Sequence, residues 1–428
     1  MNKKRILAPL ALFAFCFSFL SCKKQENVIE DDTKPEGVIV LKYWNGFTGK
    51  DGEAMDKIVA NFNKEFNGEI KVESDTINWD NLFLKLIQNK GREKYSPHIV
   101  AMGCNRLGSM VDKGIVSKLD DFSTYIELKE DEYLSPAFNA GLFGSTRYSL
   151  PLDIHPTAMF YNKDLISEDE IPNTWDAFEN VIKSKTDTSK GIYGYAIPSM
   201  YSITKDIYLS MLIQKGGDLI DENGNPTFNS TEGVNLLERM RTWKFTDKVS
   251  PQEVGASGDL SLFNAGKSVF YFDGPWEINT LKETSPIDFG VAPLPGSVGT
   301  GSASFAGSHQ LTLIDCTTKN KYVREASYKF IKYVNQNALE WAKGGQVVAH
   351  KPTHELEEYK NLTELAPFTL EAETAQVGNI QYKYFYEAYN YMGSAVAEAL
   401  SSSTTTAKEE LDKKVNLFKR FVREQEEE

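Results

Sequence analysis

Apolar residues along this chain alternate between two spacings. Val38-Ile39-Val40-Leu41 is a continuous apolar run of strand length, and Met55, Ile58, Val59 and Phe62 behind it keep the spacing of a helix. Ile70-Lys71-Val72 predicts a second short strand, Trp79 through Ile87 a second helix, and His98-Ile99-Val100-Ala101-Met102 a third strand. The middle of the chain repeats the pattern. Ala158-Met159-Phe160-Tyr161 reads as a strand, Trp175–Ile182 and Ile207–Gln214 as helices, and Ser268–Phe272 and Asp288–Ala292 as further strands. The C-terminal part is mainly helical and ends in an amphipathic segment carrying Val415, Phe418, Phe421 and Val422. Strands that alternate with helices imply an α/β fold with mostly parallel sheets flanked by helices. Ligands then meet the loops at the carboxyl ends of the strands, which puts Trp44-Asn45-Gly46 and Cys104-Asn105 beside one cleft.

The head of the chain follows a different rule. Lys3, Lys4 and Arg5 precede an apolar run from Ile6 to Leu20. That run is shorter than the ~20 residues a membrane-spanning helix needs and has the length of a signal-peptide core. Phe19-Leu20-Ser21-Cys22, followed by Lys23-Lys24-Gln25, looks like a bacterial lipoprotein cleavage site at which Cys22 becomes the acylated N-terminus. A diacylglycerol there supplies the two acyl chains that stable anchoring requires. Residues 1–21 are therefore expected to be a signal peptide, and residues 22–36 the lipidated Cys22 with a charged, flexible tether lacking any apolar period.

Composition narrows the function. The chain has 428 residues and a net charge of −13, which becomes more negative once Lys3, Lys4 and Arg5 leave with the signal. What remains is long enough for two domains, and its acidic surface excludes nucleic acid as a partner. Beyond residue 22, apolar runs stay below the span of a membrane helix. Cys104 and Cys316, far apart in sequence, are expected to be buried small hydrophobes rather than a bridge. A GxxxxGK[ST] phosphate loop, an HExxH zinc helix and a GxSxG elbow are all missing. His350 and His354 are separated by Pro352, which argues against a helical metal pair. No metal, cofactor or catalytic residue is expected.

Four segments, taken in order, resemble the family 1 extracellular solute-binding proteins, the group that includes maltose-binding protein. The first is Lys42-Tyr43-Trp44-Asn45-Gly46 with a helix ending in Phe62-Asn63-Lys64-Glu65-Phe66. The second is Ser96-Pro97-His98-Ile99-Val100, where the family usually has Asp in place of His98. Tyr148-Ser149-Leu150-Pro151 follows, leading to Met159-Phe160-Tyr161-Asn162-Lys163-Asp164-Leu165 and Pro172-Asn173-Thr174-Trp175-Asp176. The fourth is Phe263-Asn264-Ala265-Gly266-Lys267 with Asp273-Gly274-Pro275-Trp276 and then Asp288 through Pro295. The resemblance spans about residues 37–345. It implies a two-lobe periplasmic binding protein fold (type II), each lobe a mostly parallel sheet flanked by helices, joined by hinge crossovers. By the same resemblance the chain leaves the first lobe near Asp153–Pro156, returns near Asp288–Pro295 and leaves again near Lys319–Arg324. The N-terminal lobe is then 37–153 plus 288–320, and the C-terminal lobe 154–287 plus 321–428.

The implied function is the extracytoplasmic, lipid-anchored solute-binding subunit of an ABC importer. It would act as a monomer that carries a sugar or short oligosaccharide to the permease's transmembrane subunits. A sugar needs aromatic platforms for its C–H face and fixed polar groups for its hydroxyls. The resemblance singles out Trp276 as the platform and Asp273 as a hydroxyl acceptor. Trp44 and Asn45 follow the first strand. Asp153 and His155 lie on the first crossover, and Gly307, Ser308 and His309 on the return to the first lobe. Trp79 and Asp80 open a helix, Asp80 also suiting a cap. Tyr201 and Tyr384–Tyr386 complete the set, whereas Trp175 is expected to pack and Thr174 to cap its helix. The main competing function is an exported, lipid-anchored glycan-degrading enzyme with paired carboxylates. A third is the same fold binding a non-sugar solute such as a phosphorylated polyol. An anionic ligand would call for converging Arg and Lys, and the chosen residues are acidic or neutral.

Overall fold

The computed structural model describes residues 31–126, 128–199, 203–299, 303–378 and 380–427. Cys22 and Tyr201 lie outside the described residues.

In the first lobe, β1 (Ile39–Asn45), β2 (Ile70–Thr76) and β3 (Ile99–Gly103) run parallel. Two helices make the connections, α1 (Gly49–Glu65) and α2 (Trp79–Gln88), and α3 (Cys104–Asp112) leaves β3. α1 buries Met55, Ile58, Val59 and Phe62, the four positions its periodicity marks. α2 starts at Asn78, whose side chain accepts from the Asp80 N–H, and it buries Leu82, Phe83 and Leu86. β4 (Leu150–Pro151) then leads out of this lobe.

The second lobe contains β5 (Ala158–Asn162), α4 (Trp175–Lys185), β6 (Tyr193–Tyr195), α5 (Thr204–Gln214), β7 (Ser268–Asp273), α6 (Glu277–Thr284) and β8 (Phe289–Ala292). Its sheet has the order β8-β5-β7-β6. β9 (His309–Leu313) returns to the first sheet and inserts between β3 and β4, giving β2-β1-β3-β9-β4. After it come α7 (Lys321–Gln336) and α8 (Ala338–Lys343), and finally α9 (Phe385–Ser401) and α10 (Ala407–Glu427), which close the second lobe. Among the described residues no helix is long and apolar enough to cross a membrane. Cys104 and Cys316 are both free thiols, Cys104 buried.

Three expectations need correction. The sheets are mixed rather than mostly parallel: β9 is antiparallel to β3 and β4, and β5 is antiparallel to β7 and β8. A helical crossover enforces parallel strands, but β9 arrives along an extended segment from the other lobe and enters reversed. The lobe boundaries also differ. Asp288–Pro295 does not return the chain to the first lobe, because β8 pairs with β5; the return is at Ala306–His309. α7 and α8 pack on the first lobe, with Phe330 against Tyr43 and Phe62 at 5.3 and 5.1 Å and Trp341 against Phe47 at 4.6 Å. The last crossing therefore lies near Gln346–His350, not Lys319–Arg324. Finally, the tether is pinned at its end, since the Asn320 amide donates to Asp31 and to the Thr33 carbonyl, both at 2.9 Å.

Three extended segments thus run side by side between the lobes. Leu152 N–H donates to the His309 carbonyl at 2.9 Å and Ile154 N–H to the Val347 carbonyl at 2.9 Å, while Gly307 pairs with His155.

Candidate functional site

A cavity of about 440 Å³ opens between the lobes above these crossing segments. One wall is the turn after β1, from Gly46 through Asp51, together with Trp79 at the start of α2. The opposite wall is Trp276 with Glu277 and Thr280 of α6. His155, His309 and Gln346 form the floor, one from each crossing segment.

Asp153 organises that floor. It is fully buried, and four donors converge on it. Its Oδ1 accepts from the His309 backbone N–H at 2.8 Å and faces His155 Nδ1 at 3.2 Å. Its Oδ2 faces His309 Nδ1 at 2.8 Å and accepts from the Trp341 indole at 2.9 Å. Burial pushes the carboxyl up, but the two imidazoles outweigh it and hold Asp153 well below the usual carboxylate range. An ionised carboxylate only accepts, so both Nδ1 atoms carry protons. Burial lowers His309's proton affinity, but the Asp153 charge outweighs it and raises the pKa. Burial and the charge of His309 lower that of His155. The opposite shifts favour a positive charge on His309 over His155, whose ring centroids are 4.5 Å apart.

Aromatic packing fixes both walls to this floor. Trp79 stacks on His309 at 5.4 Å and 12°, and Phe47 meets both rings edge-on. Trp276 meets His155 edge-on at 5.7 Å. Gly46 and Gly274 lie flat against the indoles of Trp79 and Trp276, where a Cβ would collide with the rings. The ligand-type atoms of Asp153, His155 and His309 lie within 4.8 Å of one another. Asp153 and the two Nδ1 atoms are committed to one another, which ties the trio together as the anchor of the floor.

The structure brings Trp276, His155 and His309 to the cavity, with Asp153 directly beneath. Other expected residues lie elsewhere. Trp44 is in the core of the first lobe and its indole donates to Asp75 at 3.2 Å, because alternation along β1 turns it under α2. Asn45 is buried and its side chain braces Ser74 and the Phe47 N–H. Asp80 is exposed and pairs with Arg106 at 3.5 Å. Asp273 accepts from the Tyr271 hydroxyl and the Gly274 N–H, so its oxygens turn away from the cavity. Ser308 is buried and donates to the Asp153 carbonyl at 2.6 Å. Gly307 does allow a close approach, but the group that approaches is His155 Nε2. Tyr384 and Phe385 are buried in the second lobe, and Tyr386 lies under the Arg106 guanidinium at 3.1 Å. Trp175 packs, its indole donating to Gln214 at 2.7 Å.

Sequence reasoning missed Lys50, Asp51, Glu277 and Gln346. The first two follow β1 directly, and Glu277 adjoins Trp276, so position alone pointed to them. Gln346 carried no signal, because its place depends on a crossing assigned to the wrong segment.

A family model described as bacterial extracellular solute-binding protein matches residues 57–367. The maltotriose-binding protein of Pyrococcus abyssi is 27% identical over 239 residues, covering 54% of this chain and 49% of that protein. The chain thus spans about half the length of that relative. The galactooligosaccharide-binding protein of Bacillus subtilis is 23% identical over 79% of each chain. Among solved structures, the sugar-binding protein MalE of Xanthomonas citri superposes with a TM-score of 0.77 at 20% identity, over 90% of this chain and 99% of that one. The two-lobe fold is shared.

Proposed function

Since the chain belongs to the bacterial extracellular solute-binding proteins, we propose that it captures a sugar or short oligosaccharide between its lobes and delivers it to an ABC permease. One observation carries this reading: indoles from opposite lobes, Trp79 and Trp276, face a single cavity floored by polar side chains. Aromatic faces suit the C–H surface of a sugar ring, and the carboxylates and imidazoles suit its hydroxyls. The similar proteins named for maltotriose and galactooligosaccharide binding support the same ligand class. Three extended crossings, rather than a broad shared sheet, favour hinge closure of the kind known in periplasmic binding proteins.

The site in this proposal is Trp79, Trp276, Asp51, Glu277, His155, His309 and Gln346, with Asp153 as the positioning group. The protein binds without turnover, as a monomer. It is held outside the cytoplasm by a lipid on Cys22, in keeping with a Streptococcus pneumoniae relative named as a solute-binding lipoprotein. Calorimetric titration with neutral monosaccharides and short oligosaccharides tests the core of the proposal. Saturable binding of one of them, with the sugar recovered unchanged, is expected. A folded protein that binds neither these sugars nor their amino analogues overturns it.

A further inference from the structure

The cavity is rich in acceptors, and among the described residues the carboxyls of Glu277 and Asp51 on its walls form no ion pair. Gln346 is fully buried on the floor, and its Oε1 has no partner among the described residues. Glu277 lines the second-lobe wall beside Trp276, and its Oε2 is likewise without a partner. Asp273 and the buried Asp259 lie within electrostatic reach of Glu277. Burial pushes up all three carboxyls, Asp273 to about 7, and repulsion by the neighbouring carboxyls adds to the effect at Asp273 and Glu277. Among the described residues, the cations that line the cavity are already committed elsewhere. Lys50, which lines the cavity, is held by Glu53 at 3.2 Å and Glu283 at 3.0 Å. The charge of His309 is matched by Asp153. Asp51, half-buried on the opposite wall, adds a further carboxylate.

We infer that the cargo carries a positively charged nitrogen: an amino sugar, or a short oligosaccharide containing one, with its ammonium between the Trp276 ring and the Glu277 carboxylate. This rests on the carbohydrate reading above and narrows it. A neutral hydroxyl can fill one orphan acceptor, but it brings no positive charge to this acidic wall. An ammonium fills the acceptor, relieves the repulsion and is attracted by the indole face. An acidic sugar would add charge of the wrong sign.

Matched pairs test the inference at pH 6 and low salt: glucosamine against glucose, galactosamine against galactose, and fully deacetylated chitobiose against cellobiose. In at least one pair the amine is expected to bind about 10-fold or more tightly than its neutral partner. Glu277→Gln keeps the shape and removes the charge. It is expected to bring that ratio close to one at an unchanged melting temperature, whatever the change in absolute affinity. Neutral sugars that bind as well as or better than their amines overturn the inference and leave the carbohydrate function standing. A preference that survives Glu277→Gln in a folded protein overturns the placement of the ammonium. Failure of both members of every pair, and of the wider neutral panel, removes the carbohydrate reading itself.

Discussion

His309 donates twice to Asp153, from its backbone N–H to Oδ1 and from its ring Nδ1 to Oδ2, each at 2.8 Å. The two residues are 156 positions apart in sequence. The paired contact locks the second crossing segment onto the first and sets the orientation of the ring that Trp79 stacks upon. The floor is therefore organised before any ligand arrives, which lowers the ordering cost of binding.

Replacing Asp153 with Asn removes the negative charge while keeping the shape. Breaking a buried ion pair from one side costs about 3 kcal/mol, so a clear drop in melting temperature is expected. The pH dependence has a definite sign. The raised pKa of His309 contributes stability that is complete below the unfolded value of 6.5 and is lost as pH rises through the folded value. Asp153 acts only at the acid end, because its lowered pKa gives stability that persists above 3.8. The deficit of Asp153→Asn against the parent should therefore be largest near pH 5 to 6 and shrink toward pH 9. Melting curves across that range decide the matter; a deficit that grows with pH contradicts the assignment.

Gly307→Ala places a methyl where His155 Nε2 now lies. The ring has to turn, and its bond to Asp153 and its edge contact with Trp276 weaken. Affinity for the cognate ligand should fall at least about tenfold (~1.4 kcal/mol) with a modest loss of stability. Ser308→Ala is the control, since that hydroxyl points into the crossing strands and not the cavity. Its effect should appear in melting temperature, not in affinity measured on folded protein.

Glu371 is fully buried, accepts from the Leu294 N–H at 2.7 Å and leaves Oε2 without a partner among the described residues. Burial pushes its carboxyl up to about 8. The folded protein then holds a proton that the unfolded chain releases near 4.5, so stability falls as pH rises from about 4.5 to about 8. Glu371→Gln should flatten that decline and melt higher than the parent at pH 8. An unchanged slope would show that the carboxyl is ionised in the fold.

Truncating a central aromatic commonly costs ~2–4 kcal/mol of binding, or roughly 30- to 1,000-fold in affinity. Trp276→Ala should do so with little change in melting temperature, because the indole is only partly buried. Undiminished affinity in the folded variant removes Trp276 from the site.

Cys22→Ser should abolish metabolic labelling with a fatty acid and release the protein from the membrane fraction. Retention of label would place the anchor elsewhere.

The apolar spacing of the sequence determined most of the elements and their buried faces. A helix face is set by residues three and four apart, and α1 buries the four positions its spacing marks. It left open which sheet each face would meet. α7 is amphipathic in either lobe, and only the fit of Phe330 between Tyr43 and Phe62 assigns it to the first. The same limit governed the site. Trp276, His155 and His309 sit in segments whose local pattern was readable, whereas Trp44 and Asp273, equally plausible in sequence, turned away from the cleft because strand alternation and neighbouring donors dictated their direction. The floor is built from three segments brought together across the lobes. Side chains distant in the chain, such as Gln346, acquire a shared purpose only when the crossings pair, since hydrogen bonds act over about 3 Å of space however many residues intervene.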